Sequence, residues 1–185
     1  MRNKAFFVLF CIFIWIFKLY PSAIVFVHLG EDVPSCIFTV IEQAKYLNPE
    51  KEIYLLTDEV GYRNCIKKND QFFLREQLHL INMSGFPVSC LHKRFHEVNK
   101  MVGIDNANYW TYASERFFVL YDFLEQIRIT EIVHLENDCM LYVDIEEILP
   151  VLRKENVSLA APFTSLKGVF LVLSLFEVLL IWFFC

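Results

Sequence analysis

Short apolar runs alternate with helical stripes along the middle of this chain. Ile24 to Leu29 (IVFVHL) closes on Gly30, Ile53 to Leu56 (IYLL) closes on Thr57-Asp58-Glu59, and Leu78 to Ile81 (LHLI) follows. Runs with no polar alternation predict strands buried on both faces. Between them, Ile37, Val40, Ile41, Ala44 and Leu47 fall at helical spacing after Pro34, and Asn48-Pro49 stops that helix. A weaker helical stretch covers roughly 60–68, and the mixed, polar residues 85–109 predict a long loop containing a helix. The strongest helix comes next. Trp110, Ala113, Phe117, Leu120, Tyr121, Leu124 and Ile127 step by three or four, with Glu115, Asp122 and Gln126 on another side. A strand starts at 131, Asp144 can cap a short helix reaching about Lys154, and Val157 to Ala161 reads as a further strand. This alternation predicts an α/β fold: an open, mostly parallel sheet with helices on both faces.

Both ends of the 185-residue chain depart from that pattern. Arg2 and Lys4 precede thirteen apolar residues, Ala5 to Phe17, closed by Lys18. That is a signal-peptide core length, or a signal anchor if Lys18 snorkels. Gly168 to Cys185 carries one charge, Glu177. Three readings fit this tail: a short transmembrane helix, a buried strand or helix of a larger fold, or a product of truncation or frameshift. The expected division is therefore 1–22 as signal peptide or anchor, 23–165 as the α/β domain, and 166–185 as a hydrophobic tail. Membrane association or export follows, towards a secretory lumen, the periplasm or the extracellular side.

Charge narrows the partners. Residues 31–155 hold 21 acids against 13 Lys and Arg, a net of −8 against −5 for the whole chain. Dispersed acidity gives no footprint for nucleic acid. The six cysteines (11, 36, 65, 90, 139 and 185) show no CxxC or zinc-like spacing; Cys11 and Cys185 sit in the apolar ends, and the other four could pair in an oxidising compartment but are expected to be small buried hydrophobes. Asn82-Met83-Ser84 and Asn156-Val157-Ser158 match the glycosylation acceptor pattern, which matters only in a secretory lumen.

Residues 131–143 (EIVHLENDCMLYV) carry the candidate chemistry. The strand from 131 delivers Glu136 and Asp138, spaced so that in extended backbone both carboxylates point one way and Asn137 the other. Two convergent carboxylates are hard ligands suited to Mn²⁺ or Mg²⁺, which can hold a diphosphate; the competing reading is an ordinary acidic turn. Open α/β sheets bind ligands beyond the carboxyl ends of their strands. That groups His28, Leu29 and Gly30 with Thr57, Asp58 and the acids. Gly30 allows close backbone approach, Thr57 and Asp58 could meet a base or ribose, and Arg116 could reach a phosphate. A turn or helix cap is the competing role for Asp58.

With AIVFVHLG, IYLLTDE, YWTYASERFFVLYDFLEQ and EIVHLENDCMLYVDI in order, the chain over about 23–162 resembles a GT-A-type glycosyltransferase of the nucleotide-diphospho-sugar transferase superfamily. The resemblance implies a Rossmann-like nucleotide-binding half and a metal-dependent transfer of sugar from a nucleotide-diphospho-sugar donor to an acceptor. It also implies that Asp138 is the direct metal ligand, with Glu136 meeting ribose or metal-bound water. Glu136 stands where Asp is commoner. The half that normally supplies the acceptor base is reduced to about twenty-four mostly apolar residues, so the chain looks truncated and no catalytic base is nominated. His134, inside a strand, is a poor one. The alternative is a non-catalytic, membrane-associated remnant of such a fold.

Overall fold

The computed structural model describes residues 22–75, 77–99, 107–127, 129–155, 159–160 and 179–183. Along the chain these form β1 (Ser22–His28), α1 (Cys36–Leu47), β2 (Glu52–Thr57), α2 (Glu59–Asn69) and a 3₁₀ turn (Asp70–Leu74). There follow β3 (Leu78–Asn82), a 3₁₀ turn (Met83–Gly85), α3 (Cys90–Val98), α4 (Ala107–Gln126), β4 (Glu131–Leu135), α5 (Ile145–Lys154), β5 (Leu159–Ala160) and β6 (Leu179–Phe183). The strands join in one sheet of order β3-β2-β1-β4-β6-β5. Every pairing is parallel. The α/β class expected from the apolar runs is the class observed.

Side-chain alternation along each strand divides the core in two. Ile24 and Phe26 of β1, with Ile53 and Leu55 of β2 and Val133 and Leu135 of β4, pack against α1, α2 and α5 through Ile37, Val40, Ile41, Ala44, Cys65, Ile145 and Leu149. Val25, Val27, Leu56 and Ile132 pack against α4 on the other face through Val119, Leu120 and Phe123. All seven residues of β1 are buried, as its unbroken apolar run requires. Each fully buried Ile, Leu or Phe contributes roughly 1.5–3 kcal/mol of transfer free energy, so β1, flanked on both sides and both faces, is the centre of the fold.

Local signals account for the boundaries. Asp144 caps α5 as expected, its side chain accepting from the Glu146 amide. Ser89 caps α3 in the same way, accepting from the His92 amide. At the amino ends of the strands, buried Glu131 accepts from the guanidinium of Arg153 through both carboxylate oxygens.

Three expectations are corrected. The core stripe of α4 keeps Leu120 as predicted, with Phe117, Leu124 and Ile127 partly buried beside it, but it is centred on Val119, Leu120 and Phe123, and Trp110 is 53% exposed. Asp122, expected on the polar side, is buried because Ser89 and His92 of the α3 segment cover it with hydrogen bonds. Cys65 and Cys139 are buried as small hydrophobes, but Cys36 and Cys90 are exposed. Burial pushes the Cys65 thiol up to about 11, so it is chemically quiet.

Of the apolar 166–185 stretch, Leu179–Phe183 lies in the sheet as β6, parallel to β4 from Glu131↔Leu179 to Leu135↔Phe183. An apolar run of strand length suits an interior place in a parallel sheet. No helix among the described residues is long and apolar enough to cross a membrane. The signal-like segment at 1–21 lies outside the described residues.

Candidate functional site

The strand order places a cleft. From β1 the chain adds β2 and then β3 on one side, and returns to place β4 on the other. The two directions diverge between β1 and β4, and their carboxyl ends leave a crevice there. Val27, His28, Leu29, Asp32, Pro34, Tyr112, Ala113, Arg116 and Asn137 line it, around a volume of about 200 Å³. Drug-sized ligands take roughly 300–1,000 Å³, so this space suits a single ring rather than a whole nucleotide sugar.

Two side chains at the strand ends are joined beneath this cleft. Asn137 Nδ2 and His28 Nδ1 are 3.3 Å apart. Burial lowers the His28 pKa, against the opposing pull of Asp58, so the ring is neutral at pH 7. With Nδ1 accepting from the Asn137 amide, Nε2 carries the hydrogen. Among the described residues, His28 Nε2 and Asn137 Oδ1 have no hydrogen-bond partner of good geometry and both are shut off from solvent, while the Gly30 backbone, close to the ring, opposes the effect of burial on His28. Turning the amide over exchanges the roles and still leaves one donor and one acceptor unsatisfied. Each such group costs about 1–3 kcal/mol.

Helix α4 supplies the opposite wall. Tyr112, Ala113 and Arg116 share one face because residues three and four apart are neighbours on a helix. Gly30 has φ of +97°, and a Cβ there would lie 3.0 Å from the Tyr112 ring. Glycine therefore serves both the backbone conformation and the close approach of the ring. Arg116 forms an ion pair with Glu136, both side chains largely buried.

The predicted site residues divide accordingly. His28, Leu29 and Arg116 line the cleft, and Gly30 lies against Tyr112. Thr57 does not face the cleft. It is fully buried, and its hydroxyl donates to the Ile81 carbonyl of the neighbouring strand. Asp58 is likewise committed to backbone: Oδ1 accepts from the Gly61 amide at 2.7 Å and Oδ2 from the Gly30 amide at 2.8 Å. It caps α2 and ties the loop after β1 to the loop after β2. Replacing Asp58 by Ala removes a cap worth about 1 kcal/mol and a second amide bond of similar size. A loss of about 2 kcal/mol is expected by urea denaturation, and an unchanged midpoint would refute this role.

Asn137, predicted to face away from the acids' side, lines the cleft instead. The strand ends at Leu135, so the alternation assumed for 136–138 gives way to a turn, closed by the Cys139 amide donating to the Glu136 carbonyl. Glu136 meets Arg116, and Asp138 is exposed at the turn. Sequence reasoning missed Tyr112, Asp32 and Asn137. The spacing of Tyr112 from Arg116, one helical turn, was the available signal for the first.

No protein-family model matches the chain, and no curated protein matches it in sequence. Among solved structures, the fold is similar to one described as PaToxG Glycosyltransferase, with a TM-score of 0.45 and 9% sequence identity. The match covers 68% of this chain and 44% of that one, so the chain spans less than half of that protein's length.

Proposed function

We propose that the cleft between β1 and β4 binds the nucleotide of a nucleotide-diphospho-sugar, and that the protein acts as a glycosyltransferase. The observation that carries this reading is the buried, unsatisfied pair of His28 Nε2 and Asn137 Oδ1 at the strand-order switch. A nucleobase edge presents a donor beside an acceptor, and rotation of the His28 and Asn137 side chains towards the cleft would let it pair with them and recover the cost of leaving these two unmet. The Tyr112 ring offers a stacking face, and Arg116 offers a planar guanidinium suited to a diphosphate.

The donor chemistry near 136–138 fits a hard divalent cation, Mn²⁺ or Mg²⁺. Two carboxylates flank an amide whose oxygen is without a partner. Asp138, exposed at the turn, would be the principal ligand, as the family resemblance implies. Such a cation supplies Lewis-acid stabilisation of charge on a departing diphosphate. His28 and Asn137 orient the base, Tyr112 excludes water from one of its faces, and Arg116 neutralises phosphate charge.

Isothermal titration with UDP and GDP, with and without Mn²⁺, tests the reading. Binding that depends on Mn²⁺ and weakens at least about tenfold in His28→Ala and in Asp138→Ala is expected, a loss of about 1.4 kcal/mol or more. Absence of binding to either nucleotide in both conditions would overturn it.

A further inference from the structure

A second cluster of ligating groups joins α3 to α4, away from the cleft. His92 and His96 are four residues apart on α3, so they project from one face, and Glu115 of α4 meets both. His92 Nε2 is 3.3 Å and His96 Nε2 is 3.1 Å from the same oxygen, Glu115 Oε1. All three candidate ligand atoms lie within 4.8 Å of one another. Four-coordinate zinc with bonds of about 2.0–2.1 Å places its ligands about 3.3 Å apart, close to these separations.

The far side of the ring is also specified. His92 Nδ1 is 2.6 Å from Asp122 Oδ2, and Asp122 Oδ1 accepts from the Ser89 amide. A carboxylate only accepts, so Nδ1 carries hydrogen and Nε2 is the ring atom turned towards Glu115. A lone pair facing a carboxylate oxygen is repulsive unless a proton or a metal ion stands between them. The arrangement carboxylate–histidine–open space–second histidine and carboxylate is how proteins orient imidazole ligands to zinc. Stacking fixes the rings further: His92 lies 4.9 Å from His96 and 5.7 Å from Phe118 between ring centroids.

We infer that His92, His96 and Glu115 form a binding site for a borderline transition-metal dication, Zn²⁺ above all, with Asp122 as the group that orients His92. Two imidazoles and one carboxylate exclude the hard, oxygen-seeking Mg²⁺ and Ca²⁺ as preferred occupants. His96 is exposed, which leaves the fourth position of a tetrahedral ion to water. The ion would clasp α3 against the helix that bears Tyr112 and Arg116. This site shares no residue with the proposed nucleotide cleft.

Cobalt titration of the full chain, stripped with a chelator beforehand, is the test. One equivalent of Co²⁺ should give the intense visible bands of four-coordinate cobalt, and Zn²⁺ should displace it. His96→Ala and Glu115→Gln should each weaken binding by more than about tenfold, and Asp122→Asn by about 10–100-fold with band positions retained. Asp138→Ala should leave the cobalt spectrum unchanged, which separates this site from any cation near the cleft. Far-UV circular dichroism establishes that each variant is folded. Should one not fold, ring-proton resonances of the native chain decide: Co²⁺ must shift those of His92 and His96 and not that of His28. Absent bands, bands indifferent to His96 and Glu115, or unshifted His92 and His96 resonances would overturn the inference.

Discussion

Replacing Asn48 by Ala is expected to cost about 3 kcal/mol of stability, far more than its place beside a helix-ending proline suggests. The side chain is 1% exposed and makes three hydrogen bonds. Its Nδ2 donates to the Ala44 carbonyl at 3.1 Å and to the Val143 carbonyl at 3.3 Å. Its Oδ1 accepts from the Ile145 amide at 2.8 Å. The last two cross 95 and more residues of sequence and fasten the end of α1 to the start of α5. Alanine would strand a buried amide and a buried carbonyl, each worth about 1–3 kcal/mol when left unpaired. Asn48→Leu would restore volume but neither bond, so it should rescue little. Equilibrium urea unfolding checks both variants; a loss below about 1 kcal/mol in Asn48→Ala would show that water replaces the amide.

The second large effect is a pH dependence centred on His134. This ring is wholly buried on the α4 face of β4, and its Nδ1 donates to the Val25 carbonyl at 2.9 Å. Burial lowers its pKa to about 4, assisted by nearby Arg116 and resisted by the Val25 bond. The unfolded chain binds a proton at about pH 6.5 that the folded chain refuses until about pH 4. Between those values the unfolded state holds more protons, so stability falls as pH falls and is constant above and below. At 1.36 kcal/mol per pH unit the full loss is about 3 kcal/mol. His92 runs the other way, because Glu115 and Asp122 outweigh its burial and raise its pKa. Comparison of the native chain with His134→Gln isolates the single group. Denaturation at pH 7 and pH 4.5 should show a steeper acid loss in the native chain, and parallel losses would refute the assignment.

The sheet was legible because it depends on what each strand buries. Runs such as IVFVHL have no polar side to show to water, which forces them inside a parallel sheet and forces helices onto both faces. Caps were legible where one side chain decides them, as at Asp144. What sequence could not supply was partnership across the fold. Asp122 reads as a surface acid until α3 is laid over it, and Asn48 reads as a stop signal until α5 begins beside it. The candidate site shows the same division. His28 and Arg116 were found by position at strand end and helix edge. Asn137 was missed because period-two alternation was carried past Leu135, where the backbone had already left the strand. Asp58 shows how an acid at a strand end can be wholly spent on backbone amides.

The place of β6 has a consequence for how the molecule meets its neighbours. By lying along Glu131–Leu135, it takes up the backbone amides and carbonyls on that flank of β4. A bare strand margin is a template on which foreign chains add themselves, the first step towards aggregates. The segment that ends in the acidic turn is thereby screened, and among the described residues the margin on that side moves outward to β5, a strand of two residues set against Leu180 and Ile181 of β6. So short a ledge offers little for another strand to grip.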